Sequence, residues 1–198
     1  MIDKMGKTFA RSMAVFAMAL LFAATLGAQT PATTEAQTPS VQSPEWKTYS
    51  YAADGFSASF PSSPTVSKKD VPTDAGSFEF RSYVVEVAPV AMSIGVCDFG
   101  AAVASKDPDT VLEGAKDGAL ANSNSHLVSE NKIILGANHG VAFEAESDTA
   151  HLSFRTYLVG TTLYQALVVF PLGRPYADTA RFLDSFQLIP RVSGRATP

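Results

Sequence analysis

The sequence has few of the residues on which catalytic and metal sites commonly depend. Its 198 residues include one cysteine and three dispersed histidines, His126, His139 and His151. With a single cysteine, Cys97, no disulfide can form within the chain. This cysteine lies in the apolar run VAMSIGVCDF, which predicts a buried thiol rather than a nucleophile. The short motifs of serine hydrolases, phosphate-binding loops and zinc proteases are also absent.

An apolar run from Met13 to Leu26 follows three basic residues near the N-terminus. A basic segment, an apolar segment and small residues at the exit are typical of a secretory signal peptide. A membrane anchor is the alternative, but a membrane span needs about 20 apolar residues. We therefore predict a signal peptide over residues 1–28, cleaved after Gly27 or Ala28. The protein is then exported, periplasmic or secreted, without stable membrane insertion.

The chain has little positive charge. Lys and Arg number 15 against 19 Asp and Glu, which gives a net charge of −4, and loss of residues 1–28 makes it −6. The remainder contains no basic block. This argues against nucleic acid and anionic membrane surfaces as partners, because positive charge dominates affinity for both.

Two terminal segments have the composition of disordered chain. Residues 29–44 are rich in Thr, Pro, Gln and Ser and contain few large apolar residues. Such a segment cannot bury enough surface to offset its ordering entropy. We predict a flexible tether over 29–44, a single domain over 45–191 and a disordered tail over 192–198.

The run FRTYLVGTTLYQALVVFP, residues 154–171, is apolar almost throughout. Polar residues interrupt it too often for a membrane helix, and its Val, Thr, Tyr and Phe content favours strands. Gly160 suits a two-residue hairpin turn that requires positive φ. We predict a β-hairpin with Tyr157 opposite Tyr164.

The preceding strand, VAFEAESDT, begins at Val141 and alternates apolar with acidic residues. A tight turn at Thr149-Ala150 places Glu144 opposite Arg155, so opposite charges meet across the strands. The two turns together predict an antiparallel meander of three strands.

The remaining patterns predict a mixed fold. Strand-like runs are WKTYSY, FSASFP, SFEFRSYVVEV, VAMSIGVCDF and HLVSENKIIL, the last turning at residues 138–140. One helix is predicted from its cap Asp107 and first residue Pro108, and another is predicted to open at Pro175. Because LYQALVVF is apolar on both sides, the sheet needs two covers. We predict an α+β fold, a predominantly antiparallel β-sheet covered by helices on both faces.

Three motifs resemble the PsbP-like superfamily, which includes extrinsic photosystem subunits and exported bacterial proteins of the DcrB type. They are the entry strand GFSASFP, the hairpin YLVGTTLYQALVVFP and the ending RFLDSFQL. The matching positions are Gly55, Phe56, Phe60, Pro61, Gly160, Leu163, Tyr164, Ser185 and Phe186. The resemblance implies an antiparallel sheet between helices and an accessory or binding role. It carries over no catalytic residue.

A candidate polar binding face follows from the predicted register. Its residues are Glu144, Glu146, Arg155, Tyr157 and Tyr164. They form either a small polar pocket or a paired, partly covered face. Asp107 and Asp109 are possible metal carboxylates, but helix capping explains both. We expect no catalytic residue, no cofactor and no metal.

Two function classes remain. The first is an exported, non-catalytic accessory or binding protein, whose partner is an envelope protein or a small ligand. The alternative is a small exported hydrolase-type enzyme whose site is assembled only by the fold. Residues such as Asp98, His126 or Glu144 would have to converge for such a site.

The first prediction concerns the mature N-terminus. The exported protein should begin near Ala28 or Gln29, because the small residues there suit a signal-peptide exit. N-terminal sequencing of the exported form checks this. A sequence that still contains the run from Met13 to Leu26 would contradict the signal peptide.

Overall fold

The computed structural model describes residues 45–73 and 76–191, which form an α+β fold with a mostly antiparallel sheet. The predicted signal peptide over 1–28, tether over 29–44 and tail over 192–198 lie outside the described residues and stay predictions. In the described part of the chain, no helix is long and apolar enough to cross a membrane.

The main sheet has seven strands. They are β3 (Thr65–Thr73), β4 (Gly76–Val87), β5 (Val90–Asp98), β6 (His126–Leu135), β7 (Asn138–Glu146), β8 (Ala150–Val159) and β9 (Thr162–Pro171). Their order across the sheet is β3-β4-β5-β9-β8-β7-β6, and all neighbours are antiparallel. The central pairs therefore involve β5, β9 and β8, while β3 and β6 lie at the edges.

A small sheet and two helices complete the fold. The small sheet, in the order β1-β2-β10, contains β1 (Lys47–Tyr51), β2 (Phe56–Phe60) and β10 (Gln187–Leu188). The helices are α1 (Pro108–Asn122) and α2 (Thr179–Asp184), and a 3-10 turn covers Gly100–Ala102. Asp107 caps α1 as predicted, since its carboxylate accepts from the Thr110 N–H at 3.0 Å. The second helix begins at Thr179 rather than at Pro175, because the chain before it forms a turn.

The hairpin of β8 and β9 is confirmed. Tyr157 pairs with Tyr164, and Val159 pairs with Thr162 across a two-residue turn. Gly160 in this turn has φ of +59°, a conformation that residues with a Cβ rarely adopt. A single glycine thus accounts for the sharp reversal inside a long apolar run.

The predicted register between β7 and β8 is wrong by two residues. Glu144 lies opposite Ser153, not opposite Arg155. The chain reverses one residue earlier than predicted because Ser147 closes the loop: its N–H donates to the Ala150 carbonyl at 2.9 Å. A shift of two residues leaves each side chain on its predicted face. The β6–β7 turn, at residues 136–137, also lies earlier than the predicted 138–140.

Helix α1 covers one face of the main sheet. Its buried residues, including Val111 and Ala115, pack with Phe143 and Phe154 of β7 and β8. The two phenylalanine rings stack with centroids 4.3 Å apart. Cys97 is buried in the same cluster, which confirms the predicted environment of the thiol.

The other face is covered mainly by the small sheet. Phe56 and Phe60 of β2 are fully buried there, and Phe60 contacts Phe182 of α2 at 5.2 Å between ring centroids. Because the six-residue α2 provides only part of this cover, helices covering both faces are not confirmed. Strand β3 was not predicted, since TVSKKDVPT lacks a regular apolar alternation.

A buried polar network ties the small sheet to the main sheet. The carboxylate of Asp54, in the β1–β2 turn, pairs with Arg81 and accepts from the hydroxyl of Tyr83. Burial and this contact raise the pKa of Tyr83. Tyr164 donates to the backbone carbonyl of Asp54 at 2.6 Å, and Arg191 donates to Tyr164 Oη at 2.9 Å. The network holds the β1–β2 turn and the end of the described chain together.

The second prediction tests the α1 core. Replacement Phe154→Ala should lower the free energy of unfolding by about 3–5 kcal/mol, because it leaves a cavity beneath α1. Chemical denaturation measures the loss. Leu172→Ala, at an exposed site directly after β9, is the control and should change stability by less than about 1 kcal/mol. Equal losses in the two variants would contradict the assigned core.

Candidate functional site

The two tyrosines of the predicted polar face belong to the core. Tyr157 and Tyr164 are 6% and 2% exposed. The ring of Tyr157 stacks on Phe186 with centroids 5.7 Å apart, and it lies over Gly140, where a Cβ would come within 2.5 Å of it. Burial raises the pKa of Tyr157, although Arg155 lies beside it. Neither tyrosine presents its ring to a ligand.

Arg155 lies on the predicted face but serves another contact. Its guanidinium forms an ion pair with Asp184 at the end of α2. The pair attaches the short helix to β8 at the rim of the face. Arg155 therefore pairs with Asp184 and not with Glu144 or Glu146, with which it was predicted to form a polar face.

Glu144 and Glu146 converge on His151, and the three form a cluster with Ser153. We call these four residues the Glu144 cluster. His151 Nε2 is 2.8 Å from Glu144 Oε2, and His151 Nδ1 is 3.1 Å from Glu146 Oε1. The imidazole stacks on Phe170 with ring centroids 4.9 Å apart. Ser153 donates its hydroxyl to Glu144. The predicted register, with Glu144 opposite Arg155, did not bring His151 to the two glutamates, so the cluster was missed.

The Glu144 cluster lacks the arrangement of a serine nucleophile with a histidine base. A serine nucleophile needs a nearby nitrogen or oxygen that accepts its proton, as in the Ser–His–Asp arrangement. Both ring nitrogens of His151 face carboxylates, and Ser153 donates to Glu144 instead of to the imidazole. The contacts connect β7 to β8, and the imidazole is not directed at the hydroxyl of Ser153, which is 3% exposed.

The three residues considered for a hydrolase site do not meet. Asp98 pairs with Thr162, whereas Phe170, eight positions further along β9, pairs with His151. At about 3.3 Å per residue, the strand positions of Asp98 and His151 are therefore about 26 Å apart along the sheet. His126 lies opposite Glu146, at the end of the sheet away from Asp98.

Asp98 instead closes the turn after β5. Its carboxylate accepts from Thr161 Oγ1 at 2.7 Å and from the Gly100 N–H at 2.9 Å. Burial opposes its charge, but these hydrogen bonds hold the pKa of Asp98 below its ordinary value. The contacts account for this carboxylate without a ligand.

A cleft between α1 and the edge of the main sheet is the better candidate site. Its volume is about 390 Å³, within the range of small-molecule pockets. We call it the α1–β6 cleft. It is lined by Asp109, Leu112 and Glu113 of α1, by Glu130, Asn131 and Lys132 of β6, and by Gly140 and Val141 of β7.

A buried lysine organises two of the cleft carboxylates. Lys116 is 5% exposed, and its ammonium donates to Glu130 and lies 2.9 Å from Glu113 Oε1. Burial opposes the positive charge, but the hydrogen bonds to the two glutamates outweigh it and raise the pKa of Lys116. The lysine thus stays charged and fixes carboxylates from a helix and a strand in one place.

Asp109 forms the second ionic centre of the cleft. Its carboxylate accepts from Lys132, and its Oδ1 lies 2.9 Å from His139 Nδ1. Hydrogen bonds from Lys132 and His139 lower the pKa of Asp109. Asp107 is the residue that caps α1 through its side chain, whereas Asp109 is the acidic residue of the first turn.

Negative charge exceeds positive charge around the cleft. The carboxylates of Asp109, Glu113 and Glu130 face the ammonium groups of Lys116 and Lys132, and Asp117 lies beside them. Burial, together with the charges of Glu113 and Glu130, raises the pKa of Asp117, as expected where carboxylates crowd. Within the part of the chain that the structure describes, no group of three or more His, Cys, Asp or Glu residues is placed to hold a metal ion.

Sequence reasoning did not identify the cleft, although one signal was present. Asp109, Glu113 and Lys116 follow an i, i+4, i+7 spacing, which places them on one side of a helix. Their partners on β6 could be assigned only once α1 was docked on the sheet.

The third prediction concerns Lys116. Lys116→Met should lower the free energy of unfolding by about 1–3 kcal/mol near neutral pH, because it removes hydrogen bonds to two carboxylates. The exposed Lys132→Met is the control and should cost less than about 1 kcal/mol.

The difference in the free energy of unfolding between wild type and Lys116→Met should change with pH in one direction. Because the folded-state pKa of Lys116 is raised, its contribution is complete below the unfolded value of 10.5 and is lost as pH rises through the folded value. The gap between wild type and Lys116→Met should therefore narrow above pH 10.5. A gap that widens there in denaturant titrations would contradict the assignment.

No family model and no curated protein matches the chain by sequence. The chain is similar to the solution structure of cyanobacterial PsbP (CyanoP) from Synechocystis sp. PCC 6803. The two share 11% sequence identity with a TM-score of 0.47, over 75% of this chain and 95% of that chain. The match names PsbP, the family that the three sequence motifs resemble.

Proposed function

We propose that the protein is an exported, non-catalytic accessory or binding protein whose α1–β6 cleft binds a cationic group. The observation that carries the proposal is the charge of the cleft, where preformed carboxylates outnumber the lysines that hold them. The ligand chemistry is an amine or guanidinium at the end of an aliphatic chain. A lysine or arginine of an envelope protein and a small amine share this chemistry.

The carboxylates remain accessible despite their internal contacts. The side chains of Asp109, Glu113 and Glu130 are 41%, 60% and 45% exposed, while Lys116 beneath them is buried. An ionised carboxylate offers about four lone-pair sites, so contact with one lysine leaves sites for a second donor. A ligand cation gains charge-assisted hydrogen bonds without any rearrangement of these side chains.

The apolar lining suits the aliphatic part of such a ligand. Leu112 and Val141 contribute buried apolar surface beside the carboxylates. Lysine and arginine place their methylene groups on apolar surface and keep the charged end among polar groups. The combination favours a basic side chain over a compact inorganic cation.

Export and the accessory role rest on the sequence. Residues 1–28 have the pattern of a signal peptide, and the motif resemblance to PsbP-like proteins implies an accessory or binding subunit. The hydrogen bonding of the Glu144 cluster also favours a non-catalytic role, since its histidine has both nitrogens directed at carboxylates.

A second candidate function is a hydrolase that uses His139. Its Nδ1 contacts Asp109 at 2.9 Å, so the carboxylate could orient the ring while Nε2 activates a water molecule. This candidate has less support, because Lys132 also pairs with Asp109 and the cleft lining contains no serine, threonine or cysteine.

The fourth prediction tests cation binding by residues 29–198 in isothermal titration calorimetry. The probes are the Nα-acetyl amides of lysine and arginine, with those of norleucine and glutamate as neutral and anionic controls. We expect binding of the two cationic probes only, because the cleft supplies carboxylates to the terminal cation. Equal binding of the norleucine probe would contradict the proposal.

Variants test whether the probes bind in the cleft and whether the negative charge of the cleft drives the binding. Glu113→Gln should weaken binding of the cationic probes several-fold, and Lys132→Met should strengthen it because a competing cation is removed. Asp148→Asn removes one negative charge from an exposed loop outside the cleft and should leave binding unchanged. Equal effects of Asp148→Asn and Glu113→Gln would indicate unspecific charge attraction.

A His139 variant of the same protein distinguishes the second candidate function, the hydrolase, from the binding protein. His139→Gln should still bind the cationic probes, because the three cleft carboxylates remain in place. Hydrolysis of 4-nitrophenyl acetate by the wild type that His139→Gln abolishes would favour the hydrolase over the binding protein.

A further inference from the structure

We propose that the edge strand β6 is the interface with a second copy of this chain, paired antiparallel about a twofold axis at Asn131. The proposal goes beyond ligand binding and does not depend on it. It rests on the exposure of β6, on the order of charges along it and on the contrast with the other edge strand.

Strand β6 is long, exposed and partly apolar. Among the described residues, its only strand neighbour is β7. Eight of its ten residues are exposed. Three of these are large and apolar: Leu127, Val128 and Ile134, which are 38%, 51% and 73% exposed. An edge with unpaired backbone groups and exposed apolar side chains is a template for another strand.

The opposite edge, β3, has features that discourage pairing. It contains the adjacent lysines Lys68 and Lys69, and Pro72 removes one backbone donor. Strand β6 contains no proline and a single lysine, Lys132. The two edges of the same sheet therefore differ in their capacity to accept a strand.

The hairpin between β6 and β7 sets which backbone groups face outward. Leu135 pairs with Asn138 across a two-residue turn. Hydrogen-bonded and non-hydrogen-bonded pairs alternate along antiparallel strands, and the pair that closes such a turn is hydrogen-bonded. Glu130, Lys132 and Ile134 consequently direct their N–H and C=O groups away from β7.

Charge complementarity selects one register for the second copy. An axis at Asn131 places Glu130 of each copy opposite Lys132 of the second copy, so two favourable pairs form by symmetry. An axis at Glu130 would instead place two glutamates opposite each other, and an axis at Lys132 would oppose two lysines. Like charges directly opposite destabilise a strand pair.

The same register also matches the apolar ends of the strand. Ile134 comes opposite residue 128 of the second copy, and Val128 lies in the irregular segment between Leu127 and Ser129. Ile134, the most exposed apolar residue of β6, is thereby covered in each of the two copies.

The charged side chains are already held in place for this pairing. Glu130 accepts from Lys116, and Lys132 donates to Asp109 within one copy. A lysine in an edge normally opposes strand addition, but opposite a glutamate it becomes a favourable neighbour. A second copy provides this glutamate at the required position, which an arbitrary strand does not.

The fifth prediction is a concentration-dependent dimer of residues 29–198, measured by sedimentation velocity and equilibrium. Lys132→Glu and Glu130→Lys should each weaken dimerisation by about tenfold or more, because each creates two like-charge pairs. An equimolar mixture of the two variants should dimerise, since every strand pair across the mixed interface then joins opposite charges. The double variant Glu130→Lys/Lys132→Glu should also regain the dimer.

The mixture and the double variant separate association from folding. Both carry the substitutions that disturb contacts with Lys116 and Asp109, so a folding defect would not be rescued. Ile134→Asp, at a strongly exposed site, gives a second measurement and should abolish the dimer without changing the melting temperature at concentrations where the wild type is monomeric. Val66→Asp, at an exposed apolar residue of β3, is the matched control and should leave the dimer intact.

Three results would overturn the proposal. They are a monomer at all concentrations, a dimer insensitive to Ile134→Asp, and a mixture of the two charge variants that associates no better than either variant alone.

Discussion

The structure depends on a sheet whose central strands are apolar on both faces. In β8 and β9, neighbouring residues such as Leu163 and Tyr164 are both buried, although they point to opposite sides of the sheet. Each face must therefore be covered, and the two covers differ. One face takes the long helix α1, and the other takes a small aromatic-rich sheet with a short helix. The two polar sites, the Glu144 cluster and the α1–β6 cleft, lie at the margins of these two covering layers.

This division explains why two polar groups form and why they differ. The Glu144 cluster lies on the face of the small sheet, where His151 is held between two carboxylates and against Phe170. Its polar groups satisfy one another and connect neighbouring strands. The α1–β6 cleft forms where α1 crosses the last strands of the sheet. There a buried lysine fixes carboxylates whose outer oxygens still face solvent, so the cleft retains a capacity to bind that the cluster has largely used internally.

Local patterns were sufficient for the β8–β9 hairpin and the α1 cap, but not for the β7–β8 register or for contacts between distant segments. The turn at Gly160 follows from one residue that tolerates positive φ. The β7–β8 register depended on whether Ser147 or Thr149 closes the loop, and both are ordinary turn residues. The error shifted the strands by two residues, so faces were right while the partners of Glu144 and His151 were wrong. The cleft required α1 and β6 to meet, which no pattern within either segment specifies.

The most direct test of the account is a map of amide chemical shifts by NMR while acetyl-lysine amide is added to residues 29–198. The account predicts that the shifts which change lie in the first half of α1 and around Glu130–Lys132 and Gly140–Val141, on the walls of the cleft. Shift changes confined to residues 144–153 would place the cation on the polar face of β7 and β8, and would contradict the assignment of the cleft as the binding site.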